Sequence, residues 1–240
     1  RRGERADLLL PMAPEYVGYR GTQIGGEAIR CIKPNIVESG SNVFRYRFAR
    51  DEFEVSQTDG LVVISRPTNP TAGVMPAADV EWIFERCQQA EVPLLLDNAY
   101  GEPYPNVIAN GDTVPWRPGM ISVISCSKLG LPGLRFAVAV ADEPIAELLA
   151  SVGSVENLAV GNTGAFLMES LIASGDLDVL TELVPRFYRR QREMCLALIE
   201  ANFGHIEYRI HEPDGAFFLW LWFPQLGDIT STDLYQRLKK

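Results

Sequence analysis

The chain has 240 residues, 47% of them hydrophobic and 22% charged, with 20 Gly and 16 Pro. That is the make-up of one large α/β domain, or of one domain with the start of a second, and it excludes disorder, collagen and a coiled coil. Acidic side chains number 31 against 22 basic ones, leaving a net charge of −9, which argues against nucleic acid or an anionic membrane as partner.

At the N-terminus, Arg1-Arg2-Gly3-Glu4-Arg5 lacks the apolar core of a signal peptide, and nothing later in the sequence approaches the roughly 20 apolar residues of a membrane span. Short apolar runs predict strands at Asp7–Leu10, Leu61–Ser65, Val92–Leu96, Ile121–Ser125 and Leu134–Val140. Their unbroken apolar character suits parallel strands buried on both faces. Between the second and third, Pro76 is expected at the first helical position, and Val80, Ile83, Phe84 and Cys87 recur at helical spacing. Residues 61–97 therefore form a βαβ unit.

Beyond residue 141 the pattern turns helical, over roughly 142–151, 163–174 and 176–203, with Pro185 expected to kink the last helix or mark its start. His205–His211 and Ala216–Phe223 then alternate like antiparallel strands joined by the turn Glu212-Pro213-Asp214-Gly215. Trp220 and Trp222, two apart, are expected to pack on one sheet face. The fold class expected is α/β, a large domain over 1–185 with a mostly parallel mixed sheet, then a linking helix and the start of a small α+β domain over 186–240. The chain begins without Met and ends inside an amphipathic pattern at Arg237-Leu238-Lys239-Lys240, so a segment of a longer protein, inactive alone, is expected. Cys31, Cys87, Cys126 and Cys195 show no CxxC spacing, and only His205 and His211 are present. No metal site is expected, and a reducing cytoplasm fits best.

Ligands of an open α/β sheet bind at the carboxyl ends of its strands. Three successive strand ends here carry polar residues: Arg66-Pro67-Thr68-Asn69-Pro70-Thr71-Ala72-Gly73, then Asp97-Asn98-Ala99-Tyr100-Gly101, then Cys126-Ser127-Lys128 with Arg135 beyond. Lys128 stands out because the chain holds only four lysines (33, 128, 239 and 240) and uses arginine as its default cation. Only lysine forms a Schiff base. Each residue also has an ordinary reading: Asp97 as a turn cap, Asn69 as a turn starter, Ser125 as a strand-end hydroxyl bonded to a neighbour, Tyr16 as a half-buried tyrosine.

Taken together, these blocks resemble the fold-type-I aminotransferases that use pyridoxal 5'-phosphate (PLP). Asn69-Pro70-Thr71 is similar to the family's Asn-Pro-Thr-Gly turn, Asp97-Asn98-Ala99-Tyr100 to its Asp-x-Ala-Tyr block, and Ser125-Cys126-Ser127-Lys128 with Gly133-Leu134-Arg135 to its Schiff-base loop. Pro14-Glu15-Tyr16-Val17-Gly18-Tyr19 and Ala216-Phe217-Phe218-Leu219-Trp220-Leu221-Trp222-Phe223 extend the resemblance. It implies an aspartate-aminotransferase-like fold and PLP as cofactor. Lys128 would be the catalytic lysine that anchors PLP, Asp97 the partner of the ring nitrogen, and Asn69 and Tyr100 partners of the ring 3-oxygen. Ser125 and Arg135 would hold the phosphate, and Tyr16 would stack on the ring. Arg135, heading an apolar strand, is expected to meet a buried anion.

The implied reaction is transamination between a small aliphatic amino acid and a 2-oxo acid, valine and pyruvate being the pair indicated, in a homodimer. An alanine-type transaminase, a carbon–sulfur lyase and the sensor half of a regulator remain open. One departure is Ala72 where the family's turn has Gly, a strained choice if that position needs positive φ.

Overall fold

In the computed structural model, residues 6–22, 28–108, 112–158 and 161–239 are described. Ten strands and five α-helices follow in chain order. They are β1 (Asp7–Leu10), β2 (Ile29–Cys31), β3 (Asn35–Ser39), β4 (Val43–Arg47), β5 (Asp59–Ser65), α1 (Ala77–Gln89), β6 (Leu94–Asn98), β7 (Met120–Ser125), β8 (Ala137–Val140), α2 (Glu143–Asn157), α3 (Thr163–Ser174), α4 (Asp176–Asn202), β9 (Arg209–His211), β10 (Leu221–Trp222) and α5 (Ser231–Leu238).

The larger sheet has the order β2-β1-β5-β6-β7-β8, parallel except for β8. The chain leaves β1 toward one edge and resumes at β5 toward the other, so the loops after β1 and β5 part and leave a crevice between them. Leu9, Val62, Ile64, Leu94, Leu96 and Met120 fill the core beneath, and α1 closes it with Val80, Ile83, Phe84 and Cys87, the stripe its spacing predicts. Pro76 stands just outside this helix as its N-cap, not at the first helical position. At the opposite end of β5, buried Asp59 accepts from Arg30 (2.5 Å), Ser56 N and Arg30 Nε, so its charge is paired on every side.

Several expectations need correction. The last predicted strand begins at Ala137, not Leu134, and runs antiparallel at an exposed edge, because residues 132–135 turn the chain back after β7. Pro185 lies inside α4 and does not mark its start, which is Asp176. The C-terminal strands are shorter than predicted, and 212–220 is a long loop instead of a tight turn.

β3 and β4, invisible to the periodicity reading, form a hairpin that joins them in a second sheet, β10-β9-β4-β3. β4 and β9 pair in parallel across more than 160 residues of sequence, so no local pattern announces the contact. Trp220 Nε1 donates to the Tyr46 hydroxyl (3.3 Å) and Trp222 packs its edge against Phe44, so both tryptophans serve packing as expected.

Candidate active site

The carboxyl ends of β5, β6 and β7, with the loop after β1, enclose a cavity of about 370 Å³. Tyr16, Asn69, Asp97, Tyr100, Ser125, Lys128 and Arg135 all line it, joined by Ser65, Ala99, Val123, Ser127 and Ala137. Every sequence-predicted site residue is thus brought together, because parallel pairing sets Ser65 beside Asp97 and Asp97 beside Val123 in register.

Asp97 ends its strand with both oxygens engaged. Oδ1 accepts from Ala99 N (3.0 Å) and Oδ2 from the Tyr19 hydroxyl (2.9 Å). The turn-cap role is therefore real, and the carboxylate still faces the cavity. Burial raises the Tyr19 phenol far above its ordinary range, with the charge of Asp97 acting in the same sense, so Tyr19 is a permanent donor to Asp97. Lys128 closes a short helical turn at Cys126–Lys128, where its ammonium sits 5.2 Å from the centre of the Tyr100 ring. Burial pushes the Tyr100 phenol up to about 12, offset in part by Asn69.

Ser125 caps that same turn, accepting from Ser127 N (3.2 Å), while Arg135 Nη1 reaches Ser127 Oγ (3.3 Å). Arg135 is exposed at the cavity mouth in a left-handed conformation, so the expectation that it is buried at the head of an apolar strand is corrected. Tyr16 is 42% exposed and meets Tyr19 edge-on. Its ring lies over Gly18, where any Cβ would strike it.

The turn after β5 adopts the strained conformation the sequence raised as a concern. Ala72 has φ 60° and is fully buried. Its carbonyl accepts from both Asp214 N (2.9 Å) and Gly215 N (3.0 Å), so the C-terminal loop clasps the turn that carries Asn69. Three residues of the loop after β1 and strand β5 were given no role from sequence: Glu15, Tyr19 and Ser65. The signal for the first two lay in the quoted Pro14–Tyr19 block, where a glutamate flanks an aromatic at the end of an apolar strand.

A mostly parallel sheet with an antiparallel edge, and a lysine, a carboxylate and a guanidinium at its carboxyl ends, point to the aminotransferase class, and the chain belongs to it. Residues 49–240 match the family Aminotransferase class I and II. Over 99% of its length the chain is 36% identical to the valine–pyruvate aminotransferase of Escherichia coli, of which it spans 58%. The crystal structure of the valine–pyruvate aminotransferase of Salmonella typhimurium superposes with a TM-score of 0.89 at 34% identity, over 97% of this chain and 59% of that one. An aspartate aminotransferase variant of Thermus thermophilus shares the fold at 18% identity and a TM-score of 0.72, over 91% of this chain and 56% of its own.

PLP is the cofactor of this family, and the donor set of the cavity fits it. An amine, a carboxylate, an amide–phenol pair, and a guanidinium beside two serines line the cavity, the kinds of group that an aldehyde, a ring nitrogen, a ring oxygen and a phosphate call for.

Proposed function

We propose that this protein is a PLP-dependent transaminase that moves an amino group between a small aliphatic amino acid and a 2-oxo acid, with valine and pyruvate giving 3-methyl-2-oxobutanoate and alanine. The observation that carries this reading is the convergence of Lys128, Asp97, Asn69, Tyr100, Ser125 and Arg135 on one cavity. The 36% identity to a valine–pyruvate aminotransferase supports the choice of substrates.

Bound in this cavity, PLP supplies an electron sink that acidifies the Cα–H of an amino acid. The chain's own groups do the rest. Lys128 would anchor the cofactor, and its amine, once free, would carry the proton between the substrate Cα and the carbon of the cofactor's former aldehyde. Asp97 holds a proton at the ring nitrogen through a charge-assisted hydrogen bond, with Tyr19 and Ala99 N fixing the carboxylate's orientation. Tyr100, with a phenol that stays protonated at neutral pH, and Asn69 donate to the ring oxygen. Ser125, Ser127 and Arg135 would bind the phosphate, for which the planar fork of the guanidinium is suited. Tyr16 covers the ring and excludes water from one face.

The reading extends to a homodimer acting in the cytoplasm. Exposed apolar side chains along α2, α3 and α4, among them Leu148, Val152, Phe166 and Phe187, suit a subunit interface, and all four cysteines are free. No helix among the described residues is long and apolar enough to cross a membrane.

The test is a transamination screen of the complete protein, with valine, alanine and larger amino acids as donors and pyruvate as acceptor. Alanine formed at the expense of valine is the expected result. Release of a thiol, pyruvate and ammonia from an S-substituted cysteine, with no 2-oxo acid acceptor present, would assign a carbon–sulfur lyase instead.

A further inference from the structure

The loop after β1 is pinned by two carboxylates that the mechanism uses unequally. Tyr19 reaches Asp97, as described. Four residues earlier, Glu15 turns inward and accepts three hydrogen bonds: from Ser65 N to Oε1 (2.9 Å), from Ser65 Oγ to Oε2 (2.6 Å) and from Tyr16 N to Oε2 (2.9 Å). Ser65 is the last residue of β5, stands beside Asp97 in register, and lines the cavity. Among the described residues neither Glu15 nor Asp97 takes part in an ion pair. The groups that face Glu15 are Ser65 of β5, Asp97 of β6, Cys31 of β2, and Tyr16 and Tyr19 of its own loop, with Arg20 acting on Cys31.

The donor and acceptor chemistry of these partners leaves little freedom. Ionised, a carboxylate only accepts, so the Ser65 hydroxyl must aim its hydrogen at Glu15. The 2.6 Å separation is that of a charge-assisted O–H···O⁻ bond. Protonated, the carboxyl needs an acceptor, and two of its three neighbours are backbone N–H groups that cannot accept. Only Ser65 Oγ can, and its own hydrogen is then released toward the cavity it lines.

We propose that Glu15 and Ser65 form a proton-holding pair in the cavity wall, whose proton reverses the Ser65 hydroxyl and decides whether the acidic end of the cavity carries one negative charge or two. Glu15 is a positioning residue: it acts on the cofactor only through Ser65 and through the charge it sets beside Asp97. Burial raises the Glu15 carboxyl from its ordinary range to about 7, against the pull of its three donors, so the pair changes state near neutral pH. With Glu15 ionised, a second negative charge near Asp97 increases the proton affinity of the ring nitrogen that Asp97 faces. Proton uptake removes that charge and offers the cavity a new hydroxyl donor. This consequence rests on the transaminase reading; the proton site itself rests on the chain alone.

The experiment has two arms on the complete protein. In the PLP-free protein, infrared difference spectra and glutamate carbonyl NMR follow carboxyl protonation with pH. The expected result is one glutamate that titrates near neutrality, lost in Glu15→Gln and moved upward in Ser65→Ala, which folds even if Glu15→Gln does not. In the PLP-loaded protein, the pH midpoint of the cofactor's visible absorbance should move in both variants. A Glu15 that titrates in the ordinary glutamate range near about 4.3, or a neutral titration that survives Glu15→Gln, overturns the proposal. Failure to take up PLP would sink the transaminase reading and leave the first arm fully readable.

Discussion

At the carboxyl edge of the six-stranded sheet and in the four-stranded sheet the chain gathers buried polar groups, and it treats them in opposite ways. In the four-stranded sheet they neutralise one another. Arg45 binds Glu212 (2.5 Å) and Asp214 (2.6 Å), and the His211 ring stacks on Tyr46 while its Nε2 accepts from Tyr46 N (3.1 Å). At the sheet edge they are held apart around a cavity, where Asp97, Ser125 and Arg135 are fixed by hydrogen bonds and still line the open space. A joint satisfies its charges internally, whereas a binding site leaves specific ones for the ligand.

The largest effects should come from the site. Lys128→Ala should abolish both covalent capture of PLP and turnover, and Lys128→Arg should do the same although it keeps the charge. Retention of the cofactor's yellow absorbance in the Arg variant would transfer the anchoring role elsewhere. Asp97→Asn keeps the shape and the Tyr19 contact but removes the charge. It should still bind PLP through Lys128, while single-turnover conversion with excess valine slows by roughly a hundredfold or more, on the order of 3 kcal/mol of barrier. A near wild-type rate would reduce Asp97 to its turn-cap role.

The next effect belongs to the joint and has the opposite character, since it changes stability and not chemistry. Burial lowers the His211 imidazole from 6.5 to about 4. Its folded pKa lies below its unfolded one, so its contribution is present above about pH 6.5 and lost as pH falls toward 4. The cost is up to about 3 kcal/mol. Glu15 has the reverse sign, because its raised pKa favours the folded state below about 4.5 and that contribution is lost as pH rises through about 7. Denaturant titrations of the PLP-free protein across this range should show His211→Phe flattening the acid limb and Glu15→Gln the neutral one. If neither variant changes its limb, the burial assigned to these groups is wrong.

The smallest effect falls where the two regions touch. Ala72→Gly relieves a positive φ worth about 1–2 kcal/mol but gives up a buried methyl worth about 0.8 kcal/mol, so its midpoint should stay within about 1 kcal/mol of wild type. Gly215→Ala, on the other side of the same clasp, would drive a Cβ into Pro67 and the Val107 carbonyl and should cost clearly more. Equal effects would mean that the clasp is loose.

This contrast also explains what the sequence made legible. The sheet edge is encoded locally: apolar runs give β5, β6 and β7, and the polar residues that follow each run land together because parallel strands share one carboxyl end. Asn69, Asp97, Tyr100, Lys128 and Arg135 came from that logic, and the resemblance added Ser125 and Tyr16. Glu15, Tyr19 and Ser65 escaped because their roles depend on which strand lies beside which, and that is set by a register no single strand reveals. β4, and its pairing with the predicted strand that became β9, escaped for the same reason in stronger form, since that pairing joins segments from opposite ends of the chain. The expected burial of Arg135 fails because a strand's apolar sequence does not show whether it is central or, like β8, an exposed edge.

The central claim is that the cavity at the ends of β5, β6 and β7 is a cofactor site anchored by Lys128. The most direct measurement loads the complete protein with PLP, reduces it with borohydride, and maps the pyridoxyl group by peptide mass spectrometry. Modification of Lys128, at one group per chain and prevented by prior incubation with an amino-acid substrate, is the predicted result. A pyridoxyl group on Lys33 or Lys239, or none on any lysine, would contradict it.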